Sequence, residues 1–348
     1  GGARRRIIGA GGGVVAANAA QALTHLAERL DAPVLTTNGG RGAIADDHPL
    51  CLGNYYTSAG MHQAIADADL TLAVGTRFAV GVDGQGARLK PPGALVQIDV
   101  DPGMLGRVHP AELALAADAR LALEGLNEAL VDVPPNDAQF NETVREAAEG
   151  VQAAMRRRLG TDYPRIMDAM RSRLPRDGLL VRDQTIAAYN FGNQLFPIYQ
   201  PRTTMNPVSG AIGPGLPLAV GAAVATGRQT LVMHGDGGFM FHATELATCA
   251  QYQLPMVIVV FNDGGYGVLR WLQDTRFGRI NETDLGSVDF AALAESVGVP
   301  GCRVGSVEGF EEALDVGMAA PGPYLIDVDM TQLAPMEISI MPKRRDPA

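Results

Sequence analysis

Residues 230–270 read TLVMHGDGGFMFHATELATCAQYQLPMVIVVFNDGGYGVLR. Two apolar runs, 230–233 and 256–261, have the length and β-branched content of buried strands, and a helix-like segment over 239–253 separates them. A strand–helix–strand crossover makes such strands parallel and brings their carboxyl ends to one edge. Ligands of open parallel sheets collect at that edge. Each run ends there in an acidic glycine turn, Gly235-Asp236-Gly237-Gly238 after the first and Asn262-Asp263-Gly264-Gly265 after the second. Asp236 and Asp263 should therefore converge. Hard carboxylate oxygens suit Mg²⁺, which keeps few protein ligands and takes the rest from phosphate and water. The glycines admit a phosphate close to the backbone, and a helix N-terminus near Gly238 favours an anion. The stretch reads as a Mg²⁺–diphosphate anchor. One Gly-Asp-Gly turn alone is ordinarily only a turn; the pair within one crossover is what points to a site.

On either side, strands and helices alternate. Strand candidates at 6–8, 33–37, 70–75 and 94–100 are interleaved with helix-like segments at 14–30, 59–66 and 119–131, and the first strand runs into a glycine-rich turn at 9–13. Residues 39–53 read as a loop. Residues 131–139 (VDVPPNDAQ) are polar with Pro-Pro and read as a linker. Amphipathic segments at 140–158 and 163–174 lead to further strands at 179–181, 302–304 and 324–328 and helices at 218–225, 289–298 and 308–318. This alternation predicts an α/β protein with two doubly wound parallel-sheet domains. The expected division is 1–131, a linker and helix over 132–160, and 161–348.

Composition agrees. The 348 residues suffice for two domains, and 47% of them are hydrophobic. The formal net charge is −10, with basic clusters only at Arg4–Arg6, Arg156–Arg158 and Lys343–Arg345. That balance argues against nucleic acid or an anionic membrane as a main partner. Cys51, Cys249 and Cys302 are odd in number, far apart and without metal-ligand spacing, so a reduced, cytoplasmic setting is expected. No apolar run is long enough to span a bilayer, and no secretory pattern is visible.

On its paired turns the chain resembles the thiamine diphosphate enzymes of the acetolactate synthase and benzoylformate decarboxylase group. Their signature is Gly-Asp-Gly followed, one crossover later, by Asn-Asn or a close variant. The resemblance implies that Asp236, Asp263 and the Gly265 carbonyl bind the metal. It implies cofactor contacts from Asp183, Gln184, Gly210, Gly237, Gly238, Tyr266 and Gly267. There is one departure. The family more often has Asn where Asp263 stands, and the extra negative charge beside a diphosphate calls for compensation. Residues 205–217 (MNPVSGAIGPGLP) resemble the family's glycine–proline loop. There a large apolar residue, here Ile212, wedges under the cofactor and holds it bent, a proximity effect. The alternative is a core isoleucine. Asp183 also has N-cap chemistry. Trp271 and Gln273 are implied substrate contacts, with a core or interface aromatic as the other reading of Trp271. His234 and His242 match no family position and read as core or surface histidines.

The first half resembles the family's middle, Rossmann-like domain, through Gly42-Ala-Ile-Ala-Asp-Asp-His-Pro49, Gly75-Thr-Arg-Phe78 and Ile98-Asp-Val-Asp-Pro102. In some relatives that domain holds FAD or ADP, with an arginine at the Arg77 position contacting it. The second half resembles the pyrophosphate-binding domain. The implied activity is thiamine diphosphate- and Mg²⁺-dependent decarboxylation of a 2-oxo acid, with release of an aldehyde or carboligation, in an oligomer. The glutamate that activates the cofactor lies in the family's pyrimidine-binding domain, and no glutamate here takes that role by position. A pyrimidine-binding domain or subunit is thus an expected partner. A non-catalytic nucleotide-binding or regulatory subunit is the alternative. A plain Rossmann dehydrogenase would not need the second carboxylate turn.

Overall fold

The computed structural model describes residues 2–78 and 89–337. The chain divides into two compact units, Gly1–Ala154 with Pro197–Arg202, and Met155–Phe196 with Thr203–Ala348.

In the first unit, β1 (Arg6–Ala10), β2 (Val34–Thr36), β3 (Cys51–Gly53), β4 (Leu70–Val74), β5 (Ala94–Asp99) and β6 (Leu113–Ala116) form one sheet in the order β3-β2-β1-β4-β5-β6. Every pair is parallel. The helices Ala20–Leu30 and Ala119–Ala129 bury Leu23, Leu26 and Leu123 in a core with Ile8, Val34, Leu72 and Ile98. The strand order reverses between β1 and β4, the position where open sheets make a crevice. Here the crevice mouth is closed by backbone. The Gly11 N–H donates to the Val74 carbonyl at 2.8 Å, and the Gly13 N–H to the Gly75 carbonyl at 3.0 Å. A Cβ on Gly11 would lie 2.1 Å from the Gly75 oxygen. Close packing of two strand-end loops therefore explains these glycines, and those two N–H groups have no hydrogen left for a nucleotide phosphate. Arg77 is exposed on the loop after β4.

The Gly42–Pro49 motif has a structural role. Asp46 accepts the Ile198 N–H at 2.8 Å and pairs with the buried Arg41 at 3.5 Å. Arg202 donates to the Ala16 carbonyl at 3.0 Å. These contacts hold Pro197–Arg202 on the first unit.

The second unit contains β7 (Leu179–Arg182), β8 (Thr204–Met205), β9 (Thr230–Gly235), β10 (Met256–Asn262), β11 (Gly301–Val304) and β12 (Tyr324–Asp329), ordered β11-β12-β10-β9-β7-β8 and again all parallel. All of β10 and nearly all of β9 are buried, as expected of central strands covered on both faces. From β7 the chain steps outward to β8 and then back past β7 to β9. The reversal puts the crevice at the carboxyl ends of β7 and β9, followed by Asp183 and Asp236, with Asp263 after the neighbouring β10.

Several elements differ from expectation. The helix expected over 14–30 breaks at Asn18, whose φ of +54° leaves the right-handed region. The loop expected over 39–53 ends in the edge strand β3. β6 (Leu-Ala-Leu-Ala) is a mostly exposed edge strand, so neither alternation nor continuous burial marks it. The helix expected over 239–253 is two, Asp236–Phe239 and Glu245–Tyr252. Tight i→i+3 turns at Phe241 and His242 separate them, putting Phe239 in the core while Met240 and Phe241 stay exposed. The first piece is one turn long, too short for the anion-favouring dipole expected near Gly238. The helix Gly267–Phe277 was not anticipated. The Lys343–Arg345 cluster lies outside the described residues.

Candidate active site

Three acidic residues occupy the sheet edge of the second unit, in different surroundings. Asp183 follows β7 and is 1% exposed. Its Oδ1 accepts the N–H groups of Gln184 at 2.7 Å and Gly213 at 3.0 Å, and its Oδ2 accepts that of Gly215 at 2.7 Å. Gly215 is the first residue of the helix Gly215–Thr226, which has no side-chain cap of its own. Asp183 supplies that cap from across the fold, and its charge suits the helix N-terminus. Gly215 must be glycine, because a Cβ there would lie 2.8 Å from the Asp183 Cβ and 2.7 Å from His234 Nε2. The local N-cap expected of Asp183 is thus replaced by a clamp on the loop carrying Gly210 and Ile212. Ile212 is 40% exposed, which excludes the core reading.

His234 on β9 is fully buried behind this clamp, with Nε2 3.7 Å from Asp183 Oδ2 and its ring edge-on to Phe239. Burial lowers its pKa to about 4, against the pull of Asp183. His242, near Gly213, is partly buried.

Asp236 opens the turn after β9 and lines a cleft of ≈ 410 Å³, with Gly237, Asn262 and Tyr266 as further walls. The Asp236 carboxylate accepts the N–H groups of Gly237 and Gly265 and is hydrogen-bonded to Asp263. Burial first, and then the charge of Asp263, push the Asp236 carboxyl up to about 7. Burial likewise pushes Asp263 up to about 6, with Arg270 pulling the other way. Two buried carboxyls that resist ionising side by side are a fitting donor set for a hard cation, which favours the charged form of both. Among the described residues no group of three or more His, Cys, Asp or Glu is placed to hold a metal, so any cation here has two carboxylates and backbone oxygen to use.

The pair also predicts a pH dependence. A carboxyl whose pKa is raised in the fold binds its proton more tightly folded than unfolded, so stability rises as pH falls through the folded value. For Asp236 the gain begins near 7 and continues toward the ordinary 3.8. His234 has the opposite sign, removing stability as pH falls from 6.5 toward about 4. Between pH ~8 and ~6.5 the carboxyls act without that opposition. Metal-free protein is expected to melt at a higher temperature at the lower pH, and Asp236→Asn to shrink that difference. Circular-dichroism melts that move equally in both proteins would exclude this origin.

The cleft's other wall comes from the segment after the helix Gly267–Phe277. Gly265 bridges to Asp284 in antiparallel fashion, Tyr266 N–H donates to the Thr283 carbonyl at 2.8 Å and Leu285 N–H to the Gly264 carbonyl at 2.9 Å. Leu285, Gly286, Ser287 and Val288 thereby join Met240 and Phe241 around the opening. Sequence reasoning missed this segment; its polar, patternless composition carries no signal. Asn262 is oriented by the buried Asp327, whose Oδ1 accepts its amide at 3.0 Å. Gly267 leaves room for a carboxylate, since a Cβ there would lie 1.9 Å from Asp263 Oδ2. Of the implied substrate contacts, neither Trp271 nor Gln273 lines the cleft. The Gln273 side chain instead accepts the Asn281 N–H at 2.8 Å.

Residues 2–126 match the family described as "Thiamine pyrophosphate enzyme, central domain", and residues 186–328 match "Thiamine pyrophosphate enzyme, C-terminal TPP binding domain". A probable acetolactate synthase large subunit of Methanocaldococcus jannaschii is 32% identical over 95% of this chain and 59% of its own length. A probable 2-ketoarginine decarboxylase of Pseudomonas aeruginosa is 34% identical over 94% of this chain and 58% of its own. Among solved structures, one described as a thiamin diphosphate-dependent enzyme from Mycobacterium smegmatis superposes with a TM-score of 0.71 at 25% identity, covering 94% of this chain and 62% of that one. The chain thus spans less than two thirds of each of these proteins.

Proposed function

Because the chain belongs to the thiamine pyrophosphate enzyme family, we propose that it holds thiamine diphosphate through Mg²⁺ and serves the decarboxylation of a 2-oxo acid. The product is an aldehyde or a carboligated acid; the names of the relatives include both a decarboxylase and synthases. The observation that carries this reading is the convergence of Asp236 and Asp263 at the carboxyl ends of adjacent parallel strands, beside a cleft.

Each residue has a physical part. Asp236 and Asp263 supply charged oxygens to Mg²⁺, with the Gly265 carbonyl as a neutral third ligand. Gly237, Gly238 and Gly267 make room for Tyr266, Asp183 and the Asp263 carboxylate, which pack where side chains would stand, and their turns border the diphosphate. Asp183 and the Gln184 turn fix the 210–215 loop, so that Ile212 stands as an apolar wedge under the cofactor. Met240, Phe241 and Leu285 present apolar surface that keeps water from the reacting centre. When bound, thiamine diphosphate supplies the electron sink that lets a 2-oxo acid lose CO₂. Turnover requires a pyrimidine-binding domain that brings the activating glutamate and covers the exposed side of Ile212. The glycine turn of the central domain is taken up by backbone packing against Gly75.

The test is calorimetric titration with thiamine diphosphate, with Mg²⁺ and with a chelator. Uptake is expected only with the metal. No heat of binding from folded protein in Mg²⁺ would overturn the reading.

A further inference from the structure

The two-aspartate site carries one more negative charge than an Asp–Asn site, and the chain contains its counterpart. Arg270, on the helix Gly267–Phe277, is 1% exposed. Its Nη1 lies 3.3 Å from Asp263 Oδ2, and its Nη2 donates to the Asp263 carbonyl at 3.1 Å. Its Nε donates to Asp284 Oδ1 at 3.0 Å. The guanidinium thus grips Asp263 by side chain and backbone together, and Asp284 fixes the fork from the other side. The Arg270 charge reaches Asp236 as well, but behind burial, Asp263 and the backbone N–H groups of Gly237 and Gly265, whereas at Asp263 it is the foremost influence after burial.

We propose that Arg270 is a positioning and charge-balancing residue for the diphosphate. It neutralises Asp263, so that Asp236 and a divalent cation present the net positive corner a diphosphate requires. The inference rests on the cofactor reading above and adds a residue to it. A guanidinium stays charged under all working conditions and its planar fork matches a carboxylate, so the pairing is permanent. Without it, a cation held by two carboxylates would be electrically neutral overall and would attract a polyanion weakly. Binding of the metal alone has the opposite dependence, since removing a nearby positive charge favours a cation.

Four expectations are linked. Arg270→Gln should weaken uptake of Mg²⁺–thiamine diphosphate by roughly 10-fold or more, the scale of losing a partner of a metal ligand. The same variant should bind Mn²⁺ alone, read by electron paramagnetic resonance, no more weakly than the parent. Asp263→Asn combined with Arg270→Gln should return diphosphate uptake to within about threefold of the parent, because the charge count is restored. Arg270→Lys keeps the charge and loses the fork, so it should retain most of the affinity. If Arg270→Gln fails to fold, the lysine and double variants decide. A purely structural Arg270, acting through Asp284 and the cleft wall, predicts instead a loss that Asp263→Asn does not rescue. Parent-like uptake by folded Arg270→Gln, or a double variant as weak as Arg270→Gln alone, would overturn the proposal. A parent chain that takes up no cofactor in Mg²⁺ would overturn the cofactor reading, and this inference with it.

Discussion

Replacement of Asp236 by alanine is expected to abolish Mg²⁺-dependent binding of thiamine diphosphate while leaving the fold intact. Among the described residues Asp236 is the carboxylate that lines the cleft, and Arg270 acts on it less than burial and Asp263 do, so a metal has its oxygens to use. Loss of a group that merely orients a ligand already costs roughly 10–100-fold in metal affinity, and loss of a charged ligand itself should exceed that range. The side chain is buried but polar, with its backbone in the helix Asp236–Phe239, so alanine removes no apolar packing. It also removes the repulsion with Asp263, which offsets part of the hydrogen bonding lost with the side chain, so the metal-free variant should melt close to the parent. Binding by calorimetry and melting by circular dichroism together separate the two effects. Undiminished cofactor affinity in a folded Asp236→Ala protein would mean that the metal is anchored elsewhere.

The two acidic turns were legible because they depend on short-range signals. β9 and β10 are continuous apolar runs buried on both faces, and a parallel crossover allows their ends only one relationship. The residues that complete the site were not legible, because their chemistry is ambiguous until the chain folds. Arg270 lies in a stretch where the sequence announces no helix, and only packing shows it buried against Asp263. Leu285 reaches the cleft and Asp284 reaches Arg270 through a single bridge to Gly265 and a short hydrogen-bonded turn, which no periodicity announces. The break after Phe239 escaped for a related reason. Met240 and Phe241 continue an apolar helical pattern, yet they stay exposed at the cleft, where a site departs from the rules of the core. In the first unit the glycine turn at 9–13 was visible, but its use is backbone packing against Gly75, which composition alone cannot distinguish from a phosphate cradle.

Asp183→Ala is expected to damage stability and site together, more than any other single truncation at the sheet edge apart from Asp236 and Asp263. The carboxylate is 1% exposed and accepts three backbone N–H groups, from Gln184, Gly213 and Gly215. Alanine leaves those donors in a space that the Asp183 side chain now fills, against a His234 that is itself fully buried. Breaking a buried charged network of this kind costs about 3 kcal/mol, or a fall in melting temperature of roughly 6–12 °C for a unit of this size. Asparagine should be milder, since its carbonyl oxygen can keep the donors on one side. Its amide nitrogen would still face an N–H on the other, so rescue is partial. The loop consequence is specific. Gly213 has φ +102° and lies against Phe241 and His242, a conformation that the Asp183 hydrogen bond helps to hold. Released, the 210–215 loop should open, carrying Ile212 away from the cofactor side. Amide hydrogen exchange at Gly213 and Gly215 should accelerate in Asp183→Ala well beyond the change in β9 and β10, and turnover in the complete enzyme should fall further than cofactor affinity. Exchange that rises uniformly across the sheet would show that Asp183 stabilises the unit without clamping the loop, and Ile212 would need another support.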